Sequence, residues 1–125
     1  MSIDRKNFFN EEIIELVLNN TFYRKEIFTG PHSQIVLMSV PAGETIDREI
    51  HMHIDQILFF VQGKGQAILN DIKSDILPYH LVFVPAGVQH EFRNTGQEDL
   101  KLFTIYSPAH HQAGIVQEIK HEKHE

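Results

Sequence analysis

Short apolar runs alternate with glycine, proline and asparagine over most of this chain, and this pattern restricts the folds that the chain can adopt. From residue 21 to residue 107, each run has the length of one strand and ends at a turn-forming residue. The pattern predicts strands at residues 23–28, 34–40, 46–53, 57–61, 65–69, 81–84, 90–93 and 100–106. Many short strands at this spacing are typical of a β-sandwich or a closed barrel, so we predict an all-β fold.

The segments on either side of the strands differ in character. Asn10, followed by Glu11 and Glu12, reads as a helix start, and the apolar run after it predicts a short helix at residues 11–19, although its β-branched residues leave a strand open. Residues 113–125 are mostly polar at their end, and we expect a solvated tail. A chain of 125 residues has room for one domain, so we expect a single domain over residues 1–125, with its core at 21–108.

Composition excludes several classes of function. The absence of cysteine removes disulfides, thiolate metal sites and cysteine nucleophiles, and it fits a cytoplasmic protein. Eleven basic residues against 17 acidic ones give a net charge of −6, which argues against nucleic acid or an anionic membrane as a partner. No apolar run is long enough for a membrane helix, and residues 1–9 hold no apolar core of a secretory signal.

The chain has nine histidines, and two groups of them stand out by position. In the strand around residue 90, Val88, His90 and Phe92 share the apolar face, so His90 points inward. That histidine is either a metal ligand or a core histidine with one hydrogen-bonded nitrogen. If residues 46–53 form one strand, His51 and His53 share a face with their Cα atoms about 7 Å apart, close enough to converge on one ion.

Two stretches of the chain resemble the sequence motifs of the cupins. Residues 43–63 resemble the first motif, G-x(5)-H-x-H-x(3,4)-E-x(6)-G, and residues 85–94 match the second, P-x-G-x-x-H-x-x-x-N, at every fixed position. The resemblance implies a double-stranded β-helix, the jelly-roll barrel of that family. Residues 28–34, 55–56 and 100–111 further resemble the small single-domain cupins described as mannose-6-phosphate-isomerase-like.

The resemblance also implies a metal site. Carried over by position, its ligands are His51, His53, Gln56 and His90, holding one divalent ion of manganese, iron, nickel, cobalt or zinc. Gln56 keeps the six-residue spacing to Gly63 and so stands where the family has glutamate. The chain departs from the pattern in three places: seven residues instead of five separate Gly43 from His51, the hairpin after His53 is short, and Tyr79 replaces a glycine.

Other polar residues near the motifs allow more than one interpretation. Glu49 shares the predicted inward face of His51 and is either a substitute ligand or base, or a solvent-exposed residue at a strand edge; we favour the strand edge. Asp55 is expected to stabilise a turn. His110 and His111 are interpreted as surface residues, with a loop over the barrel mouth as the alternative. The remaining histidines are assigned to loops or edges (His32, His80) and to the tail (His121, His124).

The strand at residues 57–61 is apolar on both faces, and a strand of that kind is buried on both sides. One face can line the barrel interior, so the other needs a cover. The predicted helix is one candidate and a second subunit is the other, and we predict a homodimer.

The function that follows is a metal-binding cupin that binds or transforms a small polar or anionic metabolite. If it is an enzyme, we expect dioxygenation, or isomerisation through an enediolate. The alternative is a non-catalytic barrel that binds or senses a small ligand or a sugar. The inward strand positions that the pattern assigns carry no arginine or lysine, which argues against a sugar phosphate as ligand.

Overall fold

The computed structural model describes residues 7–120 of the chain. These residues contain ten strands and one helix, joined by loops. The elements are α1 (Ile13–Asn19), β1 (Arg24–Thr29), β2 (Gln34–Val40), β3 (Thr45–Glu49), β4 (Asp55–Gln62), β5 (Gly65–Leu69), β6 (Ile72–Ile76), β7 (Leu81–Val84), β8 (His90–Asn94), β9 (Leu100–Ser107) and β10 (Val116–Gln117). His121 and His124 lie outside the described residues.

The strands form two antiparallel sheets that face each other. The larger sheet has the order β10-β1-β2-β9-β4-β7 and the smaller one β3-β8-β5-β6. The chain crosses repeatedly from one sheet to the other, which is the jelly-roll arrangement, so the predicted all-β class and architecture are confirmed. Fully buried apolar side chains such as Met38, Phe60 and Phe92 fill the space between the sheets.

Polar residues collect at one end of this interior. The strand register sets Tyr106 opposite both Gln34 and Gln56, and it sets His90 opposite Glu49. Gln34, Gln56 and His90 are almost completely buried. We call the part of the interior that these residues line the polar end, because the rest of it is apolar.

The observed elements correct the sequence predictions at four points. Strand β3 ends at Glu49, four residues before the predicted end. Strand β6 was missed because its first four residues are exposed and its sequence, IKSDI, lacks a long apolar run; it follows a tight turn whose two residues both have positive φ. Strand β10 was missed because it has two residues within a polar segment. Helix α1 begins after Glu12, and no side chain caps its first turn.

Helix α1 packs on the outer face of the larger sheet. Val17 is fully buried there against Leu37 of β2 and Val61 of β4. The ammonium group of Lys101, on β9, donates to the carbonyl oxygens of Leu18 and Asn20 at 3.1 and 2.7 Å, which satisfies groups at the C-terminal end of the helix. The helix therefore supplies part of the cover expected over β4. It is seven residues long, and the described residues include no helix with the length and apolar character to cross a membrane.

Candidate metal centre

Glu49, His51 and His90 bring their side-chain donor atoms together at the polar end. These atoms all lie within 4.8 Å of one another. The strand register explains the meeting, because Glu49 ends β3 directly opposite His90, which begins β8. His51 follows two residues after Glu49, and its ring centroid lies 5.0 Å from that of His90. A carboxylate and two imidazoles at this separation can share one divalent ion.

His90 is held in the tautomer that a metal requires. Its Nδ1 lies 3.0 Å from the carbonyl oxygen of Val88, and because a carbonyl can only accept, Nδ1 carries the hydrogen. Nε2 is then left with its lone pair, and it is buried with no hydrogen-bond partner. Burial lowers the pKa of His90 below its ordinary value, so the ring is neutral near pH 7.

His51 lies in the loop after β3 and is fixed by its backbone. The amide of Gly87 donates to the carbonyl oxygen of His51 at 2.8 Å, which joins the two motif segments. Its Nε2 lies 3.5 Å from Oε1 of Glu49. Burial lowers the pKa of His51, and the neighbouring Glu49 carboxylate opposes that shift. His51 is therefore also available as a neutral ligand.

Gln56 presents a free oxygen, as a ligand at this position would. The residue is 2% exposed at the start of β4. Its Nε2 donates to Oγ1 of Thr104 at 3.1 Å, while its Oε1 is buried without a partner. The hydrogen bond to Thr104 thus anchors one end of the amide, and the other end stays free.

His53 does not join the group. The predicted sharing of a face by His51 and His53 assumed a strand through residue 53, but β3 ends at Glu49 and residues 50–54 are not in a strand. The side chain of His53 is exposed. Glu49 is exposed on the edge strand β3, as the sequence predicts, and its carboxylate also lies with the two histidines.

The last residue of β9 and the five residues after it form a strap across the polar end, which we define as residues 107–112. Gln34 holds the strap: its Oε1 accepts from the backbone amides of His110 and His111 at 3.1 and 2.9 Å, and its Nε2 donates to the carbonyl of His111 at 2.6 Å. The hydroxyls of Ser33 and Ser107 form a further hydrogen bond of 2.8 Å. No sequence pattern pointed to Gln34, because its role depends on a segment more than 70 residues away.

The two strap histidines differ: His110 is exposed, as the surface interpretation predicts, whereas His111 is partly buried. The His110 ring lies 4.4 Å from the His51 ring, and the His111 ring packs edge-on against Tyr106 at 5.2 Å. Burial, aided by the charge of Arg24, lowers the pKa of His111 to about 3. The alternative interpretation from the sequence, a loop over the barrel mouth, describes these residues better.

The other candidates lie away from the centre. Asp55 does stabilise a turn, since its Oδ1 accepts from the backbone amide of Ala86 at 2.8 Å. His32 and His80 are exposed in loops. The sequence pattern assigned no face to residue 24. In the structure Arg24 on β1 pairs with Met38, whose side chain is in the core, so Arg24 adds an arginine to the inward face.

Unpaired buried atoms concentrate in and around this centre. Within residues 7–120, five buried side-chain nitrogen or oxygen atoms have no hydrogen-bond partner: Arg24 Nε, His51 Nε2, Gln56 Oε1, His90 Nε2 and His111 Nε2. Buried polar atoms in proteins are nearly always paired, so such a concentration calls for a bound partner. Three of the five are atoms of predicted metal ligands, and together with Glu49 they form a donor set that fits a divalent transition metal.

The chain matches known proteins over most of its length. The Cupin domain family model (Cupin_2) matches residues 36–106, more than half of the chain. The chain is 41% identical over 108 residues to the uncharacterized protein YrkC of Bacillus subtilis and 40% identical over 106 residues to the uncharacterized protein L612 of Acanthamoeba polyphaga mimivirus. Each match covers 82% of this chain, but only 58% of YrkC and 66% of L612.

A solved structure is similar to this chain over most of its length. The crystal structure of BH2720 from Bacillus halodurans superposes with a TM-score of 0.87 at 35% sequence identity, and the match covers 88% of each chain. The similarity extends beyond the family model at both ends, so it includes elements outside residues 36–106.

Proposed function

The chain belongs to the cupin domain family, and we propose that it is a metal-binding cupin that binds or transforms a small polar or anionic metabolite. The observation that carries the proposal is the group of Glu49, His51 and His90, whose donor atoms lie within 4.8 Å of one another. The free Oε1 of Gln56 supplies a fourth donor. The mannose-6-phosphate-isomerase-like subgroup and a cytoplasmic location remain parts of this proposal that rest on sequence alone.

The proposed ligands are therefore Glu49, His51, Gln56 and His90. His53 stays a ligand predicted from the sequence, and no contact in the structure supports it. Manganese, iron, nickel, cobalt and zinc all suit this mixture of imidazole and oxygen donors. A bound ion with open positions would act as a Lewis acid toward an oxygen-containing ligand.

The chain's own residues would prepare the site for that ligand. The hydrogen bonds from His90 to Val88 and from Gln56 to Thr104 keep the donor atoms oriented before any ion arrives. The strap places the His110 ring 4.4 Å from the His51 ring and the His111 ring against Tyr106, beside the centre. For an enzyme, dioxygenase- or isomerase-type chemistry fits such a site.

The second candidate is a non-catalytic barrel that binds or senses a small ligand or a sugar. The strap favours it, because the His110 ring lies 4.4 Å from the His51 ring and so occupies space beside the proposed ligands. A tightly held metal without turnover of small oxygenated acids would support this reading.

Metal content tests the proposal. We expect one divalent ion per chain in dialysed protein purified without an affinity tag. His51→Ala, His90→Ala and Glu49→Ala should each lower metal affinity, by on the order of 100-fold for the histidines, because each removes a donor. The matched control is His53→Ala, which should leave affinity nearly unchanged.

Two outcomes would contradict parts of this proposal. Protein without any transition metal, and without thermal stabilisation by any added metal, would remove the metal site. A large loss of affinity in His53→Ala with none in Glu49→Ala would restore the ligand set predicted from the sequence. His121→Ala serves as a control for weak chelation by the tail.

A further inference from the structure

Arg24 has hydrogen-bonding capacity that the described protein does not use. Its Nη1 donates to Oε1 of Gln117 on β10, but its Nε is buried and has no partner. No ion pair to Arg24 forms within residues 7–120. Arginine always carries its charge, and an unpaired donor of a buried cation is costly. The guanidinium is therefore available to bind an anion from outside the chain.

A cavity of about 150 Å³ lies beside this guanidinium. It is lined by Tyr23, Arg24, Ile46, Asp47, Glu49 and Lys120. Glu49, a proposed metal ligand, therefore belongs both to the cavity wall and to the metal centre. At about 30 Å³ for each water molecule, it has room for a ligand of roughly five water volumes.

The charges around the cavity favour a singly charged ligand. The ammonium group of Lys120 already donates to Asp47 at 2.6 Å and to Thr45 at 2.8 Å, so its charge is engaged. Arg24 lies over the ring of Tyr23, 5.2 Å from its centroid, and no carboxylate of residues 7–120 forms an ion pair with it. With Asp47 and Glu49 in the same wall, a dianion would be repelled more than a monoanion.

We propose that Arg24 binds the carboxylate group of a small monocarboxylic acid in this cavity, with the rest of the acid directed toward Glu49 and the metal centre. The planar guanidinium matches the two oxygens of a carboxylate, and such pairs are often bidentate. This inference rests on the proposed function and names its substrate class: small carboxylic acids that carry a second oxygen, such as hydroxy acids.

The test follows the Nε–H signal of Arg24 by ¹⁵N nuclear magnetic resonance while glycolate is added, first to metal-free and then to zinc-loaded protein. The signal is assigned by its loss in Arg24→Lys. We expect glycolate to shift it in both forms and ethylene glycol, which has no carboxylate, to leave it unchanged. Arg24→Gln should weaken glycolate binding about tenfold, since it removes one charge-assisted contact. The matched control, Lys120→Gln, should weaken it far less.

Metal titration of the same variants separates the two proposals. Unchanged metal affinity in Arg24→Gln, together with an Arg24 signal that glycolate does not move, would overturn this inference and leave the metal site standing. Tighter binding of inorganic phosphate than of glycolate would also overturn it. A glycolate-dependent shift in metal-free protein supports the carboxylate site even if no metal binds at Glu49, His51 and His90. The wild-type measurement decides the matter if the variants do not fold.

Discussion

Gln56 and His90 are prepared for a metal in the same way. In each side chain, one polar atom is engaged in a hydrogen bond, with Thr104 or with the Val88 carbonyl, and the other is left free and buried. The engaged atom fixes the rotamer and, for His90, the tautomer. Each of these two side chains therefore loses little conformational entropy when an ion binds.

Changing Gln56 tests its place in the ligand set. We expect Gln56→Glu to tighten metal binding, because a carboxylate adds a negative charge beside the cation, although the cost of desolvating that charge makes the gain partial. Gln56→Ala should weaken binding less than His90→Ala, since water can take the vacant position. Competitive metal titration of each variant measures both effects.

The matched control for the charge is Gln62→Glu. Gln62 ends the same strand, and its side chain donates to the carbonyl of Asp99, away from the centre. The Gln62→Glu variant should leave metal affinity almost unchanged. Equal affinities in wild type, Gln56→Glu and Gln56→Ala would show that Gln56 is not a ligand.

At the level of elements, the turn from β4 to β5 transfers the chain from one sheet to the other. Gly63 stands in this turn with φ of +97°, and a Cβ there would lie 2.9 Å from the carbonyl oxygen of Asp99. A side chain at this position meets both a disfavoured backbone conformation and a fixed backbone atom. This explains physically why the final glycine of the first motif is needed.

Alanine substitutions separate those two effects. Gly43 has φ of +82° but nothing within 4 Å of a Cβ, so Gly43→Ala should cost only the conformational strain, about 1 kcal/mol. We expect Gly63→Ala to lower the free energy of unfolding by about 3 kcal/mol, because it adds the clash. Urea unfolding of metal-free protein measures the difference. Equal losses would mean that the Asp99 backbone moves aside freely.

For the molecule as a whole, the histidines with lowered pKa values couple stability to pH. The pKa of His111 is lowered to about 3, against about 6.5 in the unfolded chain. Between these two values the unfolded state binds a proton that the folded state does not, so stability falls as the pH drops from about 6.5 toward 3. The lowered pKa values of His51, His90 and His110 act in the same direction.

Thermal unfolding of metal-free protein checks this dependence. We expect the melting temperature to fall on acidification from neutral pH, and the fall to be smaller by a few degrees in His111→Gln. His32→Gln, at an exposed loop, is the matched control and should behave as wild type. A variant with the same pH dependence as wild type would show that His111 is accessible to protons in the fold.

The outer face of the larger sheet is the surface on which the predicted homodimer would form. Helix α1 covers its centre, but Leu81 and Phe83 of β7 are 59% and 49% exposed beside Ile57 and Phe59 of β4. Light scattering should give twice the chain mass of 14.5 kDa, and Phe83→Lys should shift the protein to monomer because it places a charge in the apolar contact.

The matched control for the dimer is Ile72→Lys. Ile72 is 72% exposed on the smaller sheet, so this variant should keep the mass of the wild type. A wild-type mass of 14.5 kDa at micromolar concentration would contradict the dimer and leave α1 as the cover of this face.

The local pattern of the chain was enough to predict the all-β class and several strands. Strands β2, β5 and β7 match the predicted bounds residue for residue, because apolar runs and turn-forming residues act over a few neighbouring positions. The inward direction of His90 followed from strand alternation for the same reason. The free oxygen of Gln56 agrees with its position in the motif.

Tertiary contacts alone decided the rest of the centre. The sequence left Glu49 open between a ligand and a strand-edge residue, and it meets the histidines because β3 ends there and pairs with β8, opposite a residue 41 positions away. Gln34 holds the strap, and Arg24 turns inward beside the cavity, through contacts of similarly long range. Such pairings depend on which strands become neighbours and in which register. The alternation of residues along one strand does not specify which strand will lie beside it.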